Sequence, residues 1–183
     1  MMMQYISDTY GSKKGFLRHI KTQTLYRLGF YRKYTQLPSD IERIVFVCQG
    51  NICRSALAEW VFKGHSGFPV ASIGLDTHTG KPADARMIQI AKSKGVDLTR
   101  HKTTSVNDFE PKPRDLYICM EVKQIEGLNN LGLRNPTTLL LSTILTKPKI
   151  TINDPYSASN AYMAKCADDI ITSAKALANV YKG

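Results

Sequence analysis

The sequence predicts an α/β protein in which a parallel β-sheet carries helices on both faces. Two observations lead there. From Ile44 onward, short apolar runs rich in β-branched residues alternate with stretches of helical periodicity, and those runs are apolar at consecutive positions. Strands buried on both faces read that way, and alternation with helices implies right-handed crossovers. IVFV (44–47) is the first strand, and SALAEWVFKG (55–64) then places Leu57, Trp60 and Val61 at helical spacing. FPVASIG (68–74) is the second strand, ending at Gly74. ADARMIQIAKSKG (83–95) is a helix with Met87, Ile88 and Ala91 inward and Gly95 as its stop. DLYICM (115–120) is the third strand, VKQIEGLNNLG (122–132) the next helix and TTLLLS (137–142) the fourth strand. The loop TKPKITINDPYSAS leads into a last helix, from about Asn160 to Tyr181, in which Ala, Ile, Leu and Val recur every three or four residues. In such folds ligands bind beyond the carboxyl ends of the strands.

The 183 residues suit one domain with some chain to spare, and a hydrophobic fraction of 43% supports a sizeable core. No apolar run approaches the roughly 20 residues a membrane helix needs. The opening MMMQYISDTYGSKKGF has no apolar segment with a small-residue cleavage site, so a cytoplasmic location is expected. Cysteines 48, 53, 119 and 166 lack zinc-site spacing, and no metal is expected. A conspicuous cytosolic cysteine is more often catalytic or redox-active, whereas Cys119, within DLYICM, reads as a buried free thiol. The net charge of +10 is uneven. Residues 1–40 hold seven Lys and Arg against Asp8 and Asp40, while the other 143 hold eighteen against thirteen acids. Charge alone is the only support for nucleic-acid binding, which is not expected.

Val47-Cys48-Gln49-Gly50-Asn51-Ile52-Cys53-Arg54-Ser55 joins the first strand to the first helix, where an α/β fold places an anion site. Unpaired N–H groups at a helix N-terminus, aided by the helix dipole, point at such an anion. Gly50 and Asn51 tolerate the left-handed backbone a cradle requires. Cys48 at its base would be favoured as thiolate by the helix terminus and by Arg54. A thiolate attacks phosphorus and leaves it well, so a phosphocysteine intermediate is accessible. Arg54 can grip two phosphoryl oxygens with its planar fork, more tightly as charge builds in the transition state. Ser55 can hydrogen-bond the sulfur. A Cys and an Arg six apart arise often by accident; the preceding strand, the internal Gly-Asn and the following Ser and helix set this pair apart.

The segment resembles the active-site loop of the low-molecular-weight protein tyrosine phosphatases, C-x5-R-[ST] and typically C-x-G-N-x-C-R-S, here CQGNICRS. The resemblance runs through most of residues 43–183. SIGLDTHTGKPADAR is similar to the family's Ser-Ala-Gly…Gly-x-Pro-Ala-Asp segment, GVDLTRH to its Gly-Ile-x-Leu…His stretch and DLYICME to its third-strand region. Asp154-Pro155-Tyr156 matches its late Asp-Pro-Tyr. The resemblance implies a four-stranded, Rossmann-like three-layer sandwich with no metal or organic cofactor. It makes Cys48 the nucleophile, Arg54 the transition-state clamp, Asn51 the holder of the loop's strained shape and Ser55 the partner of the thiolate. It makes Asp154 the general acid and then the base for water, a role the chemistry wants, although an Asp-Pro by itself is usually just a turn. Tyr156 would wall the substrate ring. His78 falls near the other wall position, where a solvated loop histidine is the alternative. Cys53 corresponds to a cysteine that can form a reversible disulfide with the nucleophile, or is a small residue packed behind the loop.

Ala56 stands where the family usually has Pro, Ile73 alters the Ser-Ala-Gly segment, and Ser157 follows Tyr156 where some eukaryotic members have a second Tyr. The pattern looks bacterial, and bacterial relatives often act on autophosphorylated tyrosine kinases controlling capsule or exopolysaccharide production. Three alternatives stand beside tyrosine phosphatase. An arsenate reductase on this fold needs two further cysteines on a mobile segment. A protein-arginine phosphatase carries Thr at the position of Ile52. A phosphotyrosine-binding module would lose Cys, Arg or Asp. The family core, 41–183, leaves residues 1–40 as a basic, helical N-terminal extension. There Leu17, Ile20, Thr24, Leu28 and Tyr31 share a helical face amid Lys and Arg. That face can pack on the core, form a homodimer, dock an acidic partner or lie on anionic lipid.

Overall fold

The computed structural model describes residues 2–131, 133, 138–144 and 149–182. Gly132 and Thr137, which end predicted elements, and 146–148 of the predicted late loop lie outside the described residues.

Three strands of five or six residues, β1 (Arg43–Cys48), β2 (Val70–Gly74) and β3 (Asp115–Cys119), make the body of the sheet. A three-residue strand, β4 (Thr138–Leu140), lies at its edge, in the spatial order β2-β1-β3-β4. All three pairings are parallel. The register sets Cys48 against Gly74 and Val47 against Cys119, so the carboxyl ends of β1, β2 and β3 come level. Successive side chains of a strand point to opposite faces. Ile44, Phe46 and Cys48 therefore enter one apolar cluster and Val45 and Val47 the other. Of the helices α3 (Arg54–Lys63), α4 (Ala85–Ser93), α5 (Val122–Asn130) and α6 (Asn160–Val180), α3, α4 and α6 bury their apolar residues in the first cluster. Ile125 and Leu128 of α5 close the second. Asp84 caps α4, its carboxylate accepting from the N–H groups of Arg86 and Met87, so this helix starts two residues after its predicted start. Arg43 grips buried Asp115 with two hydrogen bonds of 2.7 Å, tying β1 to β3 at the end away from Cys48.

The N-terminal residues form α1 (Met2–Tyr10), α2 (Lys13–Arg27) and a 3₁₀ turn at Arg32–Tyr34. They pack on the core, but of the predicted stripe only Tyr31 does so: Leu17, Ile20, Thr24 and Leu28 are exposed. Gly15 and Thr22 are the buried positions of α2, and α1 lies against α6. Tyr26, Tyr31 and Tyr34 pack on the opposite, α5 side of the sheet. The physical reason is size and polarity at the contact. Gly15 lets backbone approach backbone, and the Thr22 hydroxyl finds partners in its own helix and in Thr151. A search for apolar periodicity passes over both residues. Among the described residues, no helix is long and apolar enough to cross a membrane.

Candidate active site

Five residues, Gln49–Cys53, separate the end of β1 from the start of α3, and their carbonyls turn outward. Those of Cys48 and Gln49 accept from the N–H groups of Leu75 and Asp76, and that of Ile52 accepts from Asp84 at 2.9 Å. The carbonyl of Asn51 faces His101 Nε2 at 2.8 Å. Across a planar trans peptide the N–H points opposite to the carbonyl. The N–H groups of Gln49, Gly50, Ile52 and Cys53 therefore converge on the hollow above Cys48. This is the geometry of an anion cradle.

Asn51 is the keystone of that shape. It has φ of +52°, the left-handed region, at a cost of roughly 1 kcal/mol for a residue with a Cβ. Its side chain offsets the cost. Nδ2 donates to Ser55 Oγ and Ser72 Oγ at 2.8 and 2.7 Å, and Oδ1 accepts from the Thr104 N–H at 2.8 Å. Gly50 could tolerate the left-handed region too, but its φ is not positive. Gly74 is needed for space: a Cβ there would lie 3.0 Å from both N and Cβ of Asn51.

Cys48 Sγ accepts from the Asn51 N–H at 3.2 Å and lies 3.0 Å from Ser55 Oγ. Arg54, 1% exposed, spends Nη1 on Glu121 Oε1 (2.5 Å) and the Ile152 carbonyl (3.0 Å). Its Nη2 meets Asp154 Oδ2 at 3.0 Å, while Nε is buried without a partner. Burial opposes the guanidinium charge, but Glu121, Cys48 and Asp154 outweigh it and hold Arg54 charged. Asp154 Oδ1 accepts from the Tyr156 N–H at 3.2 Å. Arg86 donates to the carbonyls of Tyr156 and Ala158, bracing this loop.

Cys48, Arg54, Asp154 and Tyr156 share one cleft of about 180 Å³ with Gln49, Gly50, Ile52 and Cys53. Asn51 and Ser55 stand buried behind the loop. His78 lines a neighbouring cleft of about 410 Å³ instead, where its carbonyl accepts from Thr103 Oγ1 at 2.7 Å. All four cysteines are free and buried. Burial pushes the Cys53 thiol up, and that of Cys166 up to about 12. Cys119 lies within β3 and Cys166 within α6.

Three residues of this site, Glu121, Arg86 and His101, lie in segments that carry the resemblance but were given no role by the sequence. The available signal was position, since Glu121 directly follows a strand whose carboxyl end meets the cradle. Trp60 Nε1 donates to His101 Nδ1 at 3.3 Å, so the ring proton sits on Nε2 and is given to Asn51. Burial lowers the His101 pKa, opposed by its bond to Asn51. Below about pH 6.5 the unfolded chain protonates this histidine while the folded one resists. Melting temperature is therefore expected to fall as pH drops from 7 to 5.5, and less so in His101→Gln. A wild type and variant with parallel pH profiles would exclude this coupling.

A thiol at the floor of a cradle of N–H groups, beside an arginine fork and a carboxyl, is suited to phosphoryl transfer through sulfur. Comparison with known proteins agrees. The family described as low molecular weight phosphotyrosine protein phosphatase matches residues 43–182, and the chain belongs to it. A low molecular weight protein-tyrosine-phosphatase, Wzb, from Salmonella typhi is 30% identical over 118 residues, 64% of this chain and 78% of that protein. The crystal structure of the Erwinia amylovora tyrosine phosphatase AmsI aligns with a TM-score of 0.69 at 25% identity, covering 81% of this chain and 98% of that one. Vibrio vulnificus Wzb in complex with benzylphosphonate aligns at 0.65 and 28% identity, covering 76% and 99%. The YwlE arginine phosphatase of Geobacillus stearothermophilus, 22% identical with a TM-score of 0.64 over 76% and 92%, shares the fold.

Proposed function

We propose that this protein hydrolyses phosphotyrosine in proteins through a phosphocysteine on Cys48. The observation that carries the reading is Arg54, which lines the cleft with Cys48 and Asp154, its Nη2 on Asp154 and its buried Nε without a partner. Such an edge fits two phosphoryl oxygens. A phosphoryl group entering the cradle competes with Asp154 for Nη2, which frees that carboxyl to face the leaving oxygen. The Cys48 thiolate attacks phosphorus. The bond to the tyrosine oxygen breaks with its electron pair, and Asp154 supplies that oxygen with a proton. Water, deprotonated by Asp154, then attacks phosphorus. The S–P bond breaks, inorganic phosphate forms, and the thiolate returns to its Asn51 and Ser55 hydrogen bonds.

Ile52 presents an apolar branch to the cleft, which suits an aromatic ring better than a guanidinium. Tyr156, 56% exposed at the rim, forms the ring's outer wall; His78, in the next cleft, takes no part in this reading. Cys119 and Cys166 are too deeply packed for the thiol relay of an arsenate reductase. The substrate class is a phosphotyrosine protein. An autophosphorylated tyrosine kinase governing exopolysaccharide synthesis, met in the cytoplasm, is the partner the family resemblance suggests. In this reading residues 41–183 are the phosphatase domain and residues 1–40 an appended segment.

The test is steady-state phosphate release from matched phosphotyrosine, phosphoserine and phosphoarginine peptides under reducing conditions. Turnover confined to phosphotyrosine is expected, and preference for phosphoarginine would overturn the substrate assignment. Asp154→Asn is expected to lose several tens-fold or more in kcat, because the leaving phenolate then departs unprotonated. The loss should shrink for aryl phosphates with more acidic phenols. An equal loss on all leaving groups would remove Asp154 from the acid role.

A further inference from the structure

The N-terminal helices reach the active site from outside the region that matches the family, which begins at residue 43. Arg18, in the middle of α2, places Nη1 3.0 Å from Glu121 Oε2, across 103 residues of sequence. The other oxygen of the same carboxylate holds Arg54. Glu121 is 1% exposed, so its charge depends on these partners rather than on water. Lys123 also approaches, at 3.5 Å, but on Oε1, the oxygen Arg54 already uses.

We propose that Arg18 is a positioning residue for Arg54, acting through Glu121, and that the N-terminal helices are thereby a working part of the site. The inference rests on the phosphatase reading for its role in turnover. Glu121 gives one oxygen to each arginine, and that division holds Arg54 by Nη1 alone, leaving the Nε–Nη2 edge turned to the cleft. Without Arg18, the buried Oε2 loses its charged partner. The nearest replacement is Arg54 itself. Glu121 then engages the guanidinium with both oxygens and draws the fork away from phosphate, while its charge, one cation poorer, repels the incoming dianion more. Both effects weaken binding at the cradle.

A second set of contacts seats α2 against the acid loop. Asn153, next to Asp154, donates from Nδ2 to the carbonyls of Tyr10 and Gly15 at 3.2 and 3.3 Å. A Cβ at Gly15 would stand 2.1 Å from the Tyr10 oxygen and 3.0 Å from Asn153 Nδ2, so no other residue fits this junction unchanged. Ser159, which caps α6, donates to Asp8 Oδ1 at 2.7 Å. Arg18 therefore reaches Glu121 from an anchored helix. Its side chain is 44% exposed, and an exposed pair alone is worth little. The buried carboxylate on the other side makes the difference, because a truncated partner leaves its Oε2 without a charged partner.

The test uses the full chain with Arg18→Gln, Arg18→Met and Arg18→Lys, and with Lys21→Gln as an exposed charge control on the same helix. Two quantities are read: kcat/KM on a phosphotyrosine peptide, and the Kd for inorganic phosphate by calorimetry. Arg18→Gln and Arg18→Met are expected to lose about tenfold in kcat/KM and several-fold in phosphate affinity, with melting temperatures close to wild type. Arg18→Lys should recover most of both, and Lys21→Gln should match wild type. Values within twofold of wild type for Arg18→Gln and Arg18→Met overturn the proposal. So does an equal loss in Lys21→Gln, or a lysine variant no better than glutamine. A wild type that binds phosphate but does not turn over the peptide would sink the phosphatase reading instead, while the Kd series would still decide the role of Arg18.

Discussion

Cys48→Ser is expected to lose about 10⁵-fold or more in kcat on a phosphotyrosine peptide while still binding it. The sulfur is the atom that the N–H groups of the cradle surround, and the only atom placed to bond phosphorus from below. A serine hydroxyl must be deprotonated before it can attack, and the side-chain oxygen 3.0 Å from this position is the Ser55 hydroxyl, which is no base. Alkoxide is also a far poorer leaving group from phosphorus than thiolate, so any phosphoserine formed would not be hydrolysed. The cradle itself is unchanged, because its N–H groups are oriented by the outward carbonyls and by Asn51 rather than by the sulfur. Peptide affinity within a few-fold of wild type is therefore expected, measured by calorimetry beside single-turnover kinetics. Residual turnover above one part in a thousand would mean that another group is the nucleophile.

Arg54→Lys is expected to lower kcat by about 10³-fold, although the charge is kept. The guanidinium serves two sets of partners at once, with Nη1 on Glu121 and Ile152 and the opposite edge toward the cleft. An ammonium is a point charge and must choose. Glu121, buried and fixed, wins that choice, so phosphate loses both parallel hydrogen bonds and the loss grows as charge develops on its oxygens. The Ile152 carbonyl also loses its donor, at a cost of about 1–3 kcal/mol for a buried unsatisfied group. Melting temperature is therefore expected to fall by several degrees. Phosphate affinity, kcat and melting temperature together separate the two losses. Unchanged kcat in a folded Arg54→Lys would show that the fork is not the clamp.

The cradle was legible in the sequence because everything that builds it is local. β1, the loop and the start of α3 are contiguous, and Cys48, Asn51, Arg54 and Ser55 fall within eight residues. The elements after Ile44 were legible for the same reason, with ends shifted where a cap such as Asp84 decides the first turn. What escaped was whatever depends on contacts between distant segments. Glu121 looks like an ordinary acid opening a helix until Arg54, 67 residues earlier, is folded against it. The N-terminal helices were misjudged in detail because α2 is buried through a glycine and a threonine, while Leu17, Ile20 and Leu28 of the predicted stripe face outward and Tyr31 alone of it packs on the core. Apolar periodicity identifies burial in water-excluding interfaces built from large side chains. It is blind to close backbone approach.

The hydrogen bond from Asn153 to the Tyr10 carbonyl joins positions 143 residues apart, and α1 rests on α6. The first contact cannot form until residue 153 has left the ribosome, nor the second until α6 has, and closing so long a loop is among the slower steps of folding. The basic N-terminal segment, although made before the sheet, is thus among the last to find its place. On the proposed role of Arg18, a chain that has not seated these helices has Arg54 less fully set for phosphate.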